Sequence, residues 1–313
     1  MEALTETYGG GLFWSLLAIT LIVAVILARL FIYFRSYTQP SEIAFVRDDS
    51  KEERLDDILT GTNDPDTRLF TDCATLCANI YRPSREYVDT DDLETLGNRR
   101  LVVDGWTEID LDQWRSGGAA GLAYELWRNE EHRIVALVFR GTVFSASSWL
   151  ANFHWLFRYI PFVVDQYDQI KGIVPDIVAS LSEEASDGYV FVATGHSLGG
   201  GLAQHSLYLD PKIETVFAFN AAPTTSWSDV KRWRRTNNVS GNKIYRIHEN
   251  GEVLEFFRLL VKIGYVFNPT PNVDPYFVEY RLNLRRGGIV EQHGITSLAC
   301  ALRTIHKAAL RRD

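Results

Sequence analysis

The run Tyr189-Val190-Phe191-Val192-Ala193-Thr194-Gly195-His196-Ser197-Leu198-Gly199-Gly200-Gly201-Leu202-Ala203 restricts what this chain can fold into more than any other part of it. Tyr189 to Ala193 is β-branched, aromatic or small and reads as a buried strand, while Leu198 to Leu209 carries apolar residues at helical spacing. The predicted connection is a sharp turn with a serine at its tip. Gly195 and Gly199 remove side chains where strand and helix must approach closely around that serine. Ser197 is therefore a candidate nucleophile. A serine hydroxyl is a poor nucleophile at neutral pH, so it needs a histidine to take its proton and a carboxylate to hold the histidine in the right tautomer.

Where a strand-turn-helix of this kind belongs to an α/β-hydrolase, the partners follow in the order serine, carboxylate, histidine. Of the seven histidines, His248, His293 and His306 lie well downstream of Ser197. His293 is expected in the loop between a strand over Phe277 to Leu284 and the C-terminal helix, where a base can reach a strand end. His306 falls inside that helix among Lys307, Arg311 and Arg312 and reads as an exposed helix-end residue. His248 shares a predicted strand with the acid candidates. The segment Lys243 to Leu254 reads as a strand running into a turn that holds two glutamates. Glu252 follows Gly251 at the strand exit, where the chain turns back, and is the first candidate for the acid. Glu249, which still belongs to the strand, is the alternative.

Upstream, His132-Arg133-Ile134-Val135-Ala136-Leu137-Val138-Phe139-Arg140-Gly141-Thr142 is a nearly unbroken apolar strand ending in a glycine turn. The backbone N–H of Thr142 and that of Leu198 are the candidate oxyanion donors, each typically worth about 3 kcal/mol of barrier. Arg140 reads as an anchor for this turn.

Gly195-His196-Ser197-Leu198-Gly199-Gly200 after an apolar strand, Val138-Phe139-Arg140-Gly141-Thr142 ending another, and the late His293 together resemble the class 3, or fungal-type, lipase family. The helix over Arg68 to Tyr81 and the segment Ser148 to Asn152 extend the resemblance over roughly residues 68 to 305. It implies an α/β-hydrolase fold, a mainly parallel central sheet flanked by helices, and hydrolysis of carboxylic esters of lipids. The chain departs from the family's pattern at Asn152, where an aspartate is usual, at Glu252, where the acid is usually an aspartate, and at Phe219 to Pro223.

The rest of the composition narrows partners and chemistry. A net charge of -8 argues against nucleic acid, whose phosphates need clustered Lys and Arg. Cys73, Cys77 and Cys300 are odd in number, give no disulfide framework and read as small buried side chains. No metal-ligand spacing is seen, the glycines after Ser197 lack the lysine of a phosphate-binding loop, and serine ester hydrolysis needs no cofactor.

Thr7 to Ala28 is a run of 22 residues without a charge. At about 1.5 Å per residue it is long enough to cross a bilayer. Glu2 and Glu6 precede it and Arg29 follows it, which is not the charge order of a secretory signal peptide. A single-pass transmembrane anchor over residues 1–35 is expected. Arg29, Arg35, Arg47, Lys51 and Arg54 all follow the run, so the catalytic domain is expected on the cytoplasmic side. Residues 36–66, with Asp48-Asp49, Glu52-Glu53 and Asp56-Asp57, read as an acidic linker, and residues 67–313 as the catalytic domain. The aromatic stretches Trp149 to Ile160 and Leu254 to Phe267 read either as core helices or as an exposed lipid-contacting mouth. Two other readings stay open: an esterase or thioesterase on soluble acyl compounds, and a catalytically silent membrane scaffold.

Overall fold

The structure, a computed structural model, describes residues 17, 19–20, 22–23, 41–46, 51–109, 122–141, 166–184, 188–222, 230, 238, 241–252, 254–255, 277–284 and 289–312. The chain forms two compact units, Met1–Pro40 and Ser41–Asp313. In the first, Leu17, Ile19, Thr20, Ile22 and Val23 are helical, and the four apolar side chains among them are exposed. The remainder of the expected span, Thr7 to Ala28, lies outside the described residues, and no helix among the described residues is long and apolar enough to cross a membrane.

The second unit opens with strands β1 (Ser41–Val46) and β2 (Lys51–Arg54), helix α1 (Leu55–Thr60), a 3-10 turn (Pro65–Leu69) and helix α2 (Phe70–Asn79). Short elements β3 (Tyr87–Val88), α3 (Leu93–Leu96) and β4 (Arg100–Leu101) lead to strands β5 (Trp106–Ile109), β6 (Tyr124–Asn129) and β7 (Ile134–Phe139). There follow α4 (Gln166–Glu184), β8 (Val190–His196), α5 (Leu198–Leu209), β9 (Ile213–Phe219), β10 (Lys243–Glu249), β11 (Phe277–Asn283), α6 (Ile289–His293) and α7 (Ile295–Ala309).

Nine strands form one sheet in the order β2-β1-β11-β10-β9-β8-β7-β6-β5. From β7 to β11 every pairing is parallel, and the strands added at both edges are antiparallel. A parallel centre must be covered on both faces, and β7 shows why its sequence is continuously apolar. Ile134, Ala136 and Val138 enter one core layer, whereas Val135, Leu137 and Phe139 enter the other. The first layer is closed by α1, α2 and α7. On α2 the residues Phe70, Cys73, Ala74, Cys77 and Ala78 recur at i, i+3, i+4, i+7 and i+8, and all are fully buried. Their small side chains let the helix settle on the sheet, while Phe70 meets Phe217, Tyr245 and Tyr280 edge-on at centroid distances of 5.4, 5.5 and 5.3 Å. All three cysteines are buried free thiols. Burial raises the pKa of Cys77 to about 12, so it is a packing residue rather than a thiolate. The second layer joins Ile170, Val174, Ile177 and Val178 of α4 to Leu202, Ala203 and Leu207 of α5.

The region expected as an acidic linker differs. Within residues 36–66, β1 and β2 extend the sheet, and α1 buries Leu55, Ile58 and Leu59 in the first core layer. These three stand at i, i+3 and i+4, a stripe long enough for one and a half turns but easily masked by flanking charge. Asp56, on the outer side, takes hydrogen bonds from Arg54 Nε at 2.9 Å and from Arg312 Nη1 at 3.3 Å.

Candidate active site

The C-terminal ends of β7 to β11 all open at one edge of the sheet, the place where loops of a parallel sheet converge on a ligand. Gly141 follows β7, Ser197 follows β8, Asn220 follows β9, and the turn Asn250-Gly251 followed by Glu252 leaves β10. His293 is the last residue of α6, after β11.

Ser197 joins β8 to α5 with φ 59° and ψ -125°, a conformation that costs a non-glycine residue about 1–3 kcal/mol and persists only where its surroundings enforce it. Its N–H donates to the Phe219 carbonyl at 3.0 Å, and its own carbonyl accepts from Gly200 N at 3.1 Å and Ala222 N at 3.0 Å. The glycines make room for this. A Cβ on Gly195 would stand 2.2 Å from the Gly199 carbonyl oxygen, and a Cβ on Gly199 would stand 2.2 Å from the Phe139 carbonyl oxygen. The first turn of α5 is thereby pressed against both β7 and β8. Leu198 N opens that helix, whose N-terminal end carries the positive part of the backbone dipole. Gly141 lies against the same point, since a Cβ there would come within 3.2 Å of Leu198 N and 2.5 Å of the His196 carbonyl oxygen. Thr142, the other expected oxyanion donor, lies outside the described residues, as do the stretch Trp149 to Ile160 and most of Leu254 to Phe267. The Arg140 N–H donates to the Ala123 carbonyl at 2.9 Å, which ties down the strand end before the turn.

The segment that carries the acid candidates turns at Gly251, whose φ of 78° suits glycine and whose N–H donates to Glu255 Oε2 at 2.6 Å. The next residue, Glu252, accepts from Leu254 N at 2.9 Å and from His293 Nδ1 at 2.6 Å through Oε2. The Glu252 side chain is 0 % exposed and that of His293 4 %, so water does not screen the pair. An ionised carboxylate only accepts, which places the proton of His293 on Nδ1 and its lone pair on Nε2. Glu249, the alternative acid, instead accepts from Leu284 N at 2.7 Å through Oε1 and closes the end of the sheet between β10 and β11.

His293 differs from the expected loop residue in ending a five-residue helix, separated from α7 by Gly294 alone. Its carbonyl accepts from His196 Nε2 at 2.7 Å and from Asn220 Nδ2 at 3.3 Å. His306 is half-buried in α7 rather than exposed, and its pKa is lowered by burial and by Arg303. His248 is buried within β10.

Four residues acquire a place here that their sequence context did not suggest: Tyr81, His196, Asn220 and Glu255. Asn220 is a non-glycine residue at φ 42°. Its Oδ1 accepts from Glu249 N at 2.8 Å while its Nδ2 reaches the His293 carbonyl, so one side chain holds the end of β10 and the His293 segment together. His196 is wholly buried, and burial together with the neighbouring His293 lowers its pKa to about 3; it is neutral near pH 7. Among the described residues no group of three or more His, Cys, Asp or Glu side chains is placed to hold a metal ion.

No family model and no curated protein matches the chain. Among solved structures it is similar to a lipase from Rhizopus microsporus var. chinensis, with 16% identity over 74% of this chain and 88% of that one and a TM-score of 0.42. It is also similar to a triacylglycerol lipase from Penicillium expansum, with 16% identity over 72% and 80% of the two chains and a TM-score of 0.40. A Rhizomucor miehei lipase in its propeptide complex is 18% identical over 61% of this chain and 62% of that one, with a TM-score of 0.39.

Proposed function

We propose that the chain is a membrane-anchored serine hydrolase that cleaves carboxylic esters of lipids, acylglycerols or phospholipids, through Ser197, His293 and Glu252. The observation that carries this reading is the buried 2.6 Å contact between His293 Nδ1 and Glu252, taken together with a serine held at φ 59° on a strand-to-helix turn.

In this reading His293 Nε2 takes the proton of Ser197 as Oγ attacks the ester carbonyl carbon, and Glu252 stabilises the imidazolium that results. The carbonyl oxygen becomes an oxyanion at the N-terminal end of α5, where Leu198 N–H donates to it, with Thr142 N–H as the expected second donor. Collapse expels the alcohol, which receives the proton from His293 Nε2, and leaves an acyl-serine. Water, deprotonated by the same nitrogen, then attacks the acyl carbon, and the carboxylic acid leaves as Ser197 recovers its proton.

The membrane assignment is supported by the uncharged run Thr7 to Ala28 and by the exposed helical Leu17, Ile19, Ile22 and Val23. With Arg29 and Arg35 after the run, the domain lies on the cytoplasmic side.

The test is hydrolysis by the detergent-solubilised chain and its Ser197→Ala variant of long-chain acylglycerol or phospholipid in micelles, compared with dissolved short-chain esters. Serine-dependent turnover that rises on micelles is the expected result. Turnover confined to dissolved esters or thioesters would replace the lipid substrate with a soluble one, and none at all would favour the silent scaffold.

A further inference from the structure

Two features of the active-site edge have no part in the reaction sequence above: the hydroxyl of the half-buried Tyr81 and the buried imidazole of His196. They are joined. Gly141 N donates to the Tyr81 hydroxyl oxygen at 2.8 Å, Tyr81 Oη lies 3.2 Å from His196 Nδ1, and His196 Nε2 lies 2.7 Å from the His293 carbonyl oxygen.

The direction of every bond in this chain follows from its two ends. A carbonyl oxygen only accepts, so His196 carries its proton on Nε2. Its Nδ1 is then a bare acceptor, which obliges Tyr81 to donate its hydroxyl hydrogen there and to receive the Gly141 N–H on its oxygen. Neutrality of His196 is what keeps this arrangement single-valued, and burial lowers its pKa to about 3. The rings add packing: Tyr81 meets His196 edge-on at 5.8 Å, and the two imidazoles lie 4.7 Å apart.

What the chain connects gives it a role. One end is the glycine turn packed against Leu198 N, and the other is the main chain of the base. The middle is the residue immediately before the nucleophile. We propose that Tyr81 and His196 are positioning residues that lock the turn after β7, the serine elbow and the His293 segment into one register. This inference rests on the hydrolase reading for its catalytic consequence, whereas the hydrogen-bond chain itself does not.

Tyr81→Phe removes one hydroxyl and leaves the ring. It frees Gly141 N and His196 Nδ1 without touching substrate. A displacement of about 1 Å in a reacting group can cost on the order of a hundredfold, so kcat on a dissolved short-chain ester is expected to fall about 10- to 100-fold. KM is expected to stay within about twofold, because uniform binding is untouched. His196→Gln keeps an amide donor for the His293 carbonyl but removes the ring nitrogen Nδ1 that faces Tyr81. The double variant is expected to match the worse single one rather than the product of the two losses, the mark of residues acting as a unit.

The deciding experiment combines these kinetics with 15N NMR of the histidine-labelled full chain in detergent. The expected spectrum has His196 protonated on Nε2 and bare on Nδ1 near neutral pH, with the Nδ1 resonance moving in Tyr81→Phe. A proton on His196 Nδ1, or wild-type kcat in a folded Tyr81→Phe variant, would overturn the proposal. Should that variant not fold, the wild-type spectrum alone still decides the direction of the chain. A wild-type protein that hydrolyses no ester and is inert to a fluorophosphonate would sink the hydrolase reading, while the tautomer of His196 would stand or fall separately.

Discussion

Acidification should unfold this domain earlier than its carboxylates alone would dictate, and His196 is the reason. In the folded protein its pKa is lowered from 6.5 to about 3, by burial first and by the neighbouring His293 second. A folded-state value below the unfolded one means that the unfolded chain binds the proton first as pH falls. The associated stability is fully present above about pH 6.5 and is lost progressively down to about pH 3. Between about pH 7 and 5 this single group removes about 2 kcal/mol from the folding free energy, since the unfolded imidazole becomes almost wholly charged and the buried one does not. The carboxylates of Asp64 and Asp89 have lowered pKa values and lose their contributions only as pH falls through and below 3.8, outside that window. His306 is shifted in the same direction as His196 and is unchanged in a His196→Gln variant, so it cancels in the comparison. The assay is urea unfolding of the detergent-solubilised chain followed by tryptophan fluorescence at about pH 7, 6 and 5, with extrapolation to zero urea. The wild type should lose about 2 kcal/mol more than His196→Gln over that interval. Parallel pH dependence in the two proteins would mean instead that the imidazole protonates as readily folded as unfolded.

Other outcomes follow from particular contacts. Glu252→Gln should lower kcat by about a thousandfold, because the neutral amide neither stabilises the imidazolium nor enforces the Nδ1–H tautomer. Glu249→Gln should leave kcat within about threefold, since its Oε1 serves the Leu284 N–H; steady-state kinetics of both variants would show the reverse pattern if the acid were Glu249. Gly199→Ala and Gly195→Ala should each abolish the folded state or move the elbow enough to silence it. In both, the new methyl would stand 2.2 Å from a backbone oxygen, which no side-chain rotation relieves. Thermal unfolding and activity would check them together, and a stable, active Gly199→Ala protein would contradict the packing described.

The elbow was legible because it depends on what is absent. Two glycines flank a serine at a place where any Cβ collides with backbone, and that requirement prints itself on contiguous residues. Strand β7 was legible for a related reason: burial on both faces leaves an unbroken apolar run. Glu252 could be favoured over Glu249 because Gly251 marks the point where the chain leaves β10 and turns inward. The edge strands β1 and β2 and helix α1 were hidden, since an edge tolerates charge and a six-residue helix shows barely one apolar stripe. His293 looked like a loop residue because the five residues of α6 are too few to display a period. Tyr81, His196 and Asn220 act through hydrogen bonds that span 115, 97 and 73 residues of chain. Such bonds follow from how the strands are ordered in the sheet and leave no local pattern. Histidine at position 196 and asparagine at 220 were visible as parts of motifs, but nothing in their neighbours said what they would meet.

Whether Ser197 is a nucleophile activated by His293 and Glu252 is decided by reaction of the detergent-solubilised chain with a fluorophosphonate probe, with the modified peptide mapped by mass spectrometry in the wild type, Ser197→Ala, His293→Ala and Glu252→Gln. A single adduct on Ser197 is expected, absent in the serine variant and formed far more slowly when His293 or Glu252 is replaced. An adduct elsewhere, or labelling of Ser197 that proceeds at the wild-type rate without His293, would contradict it.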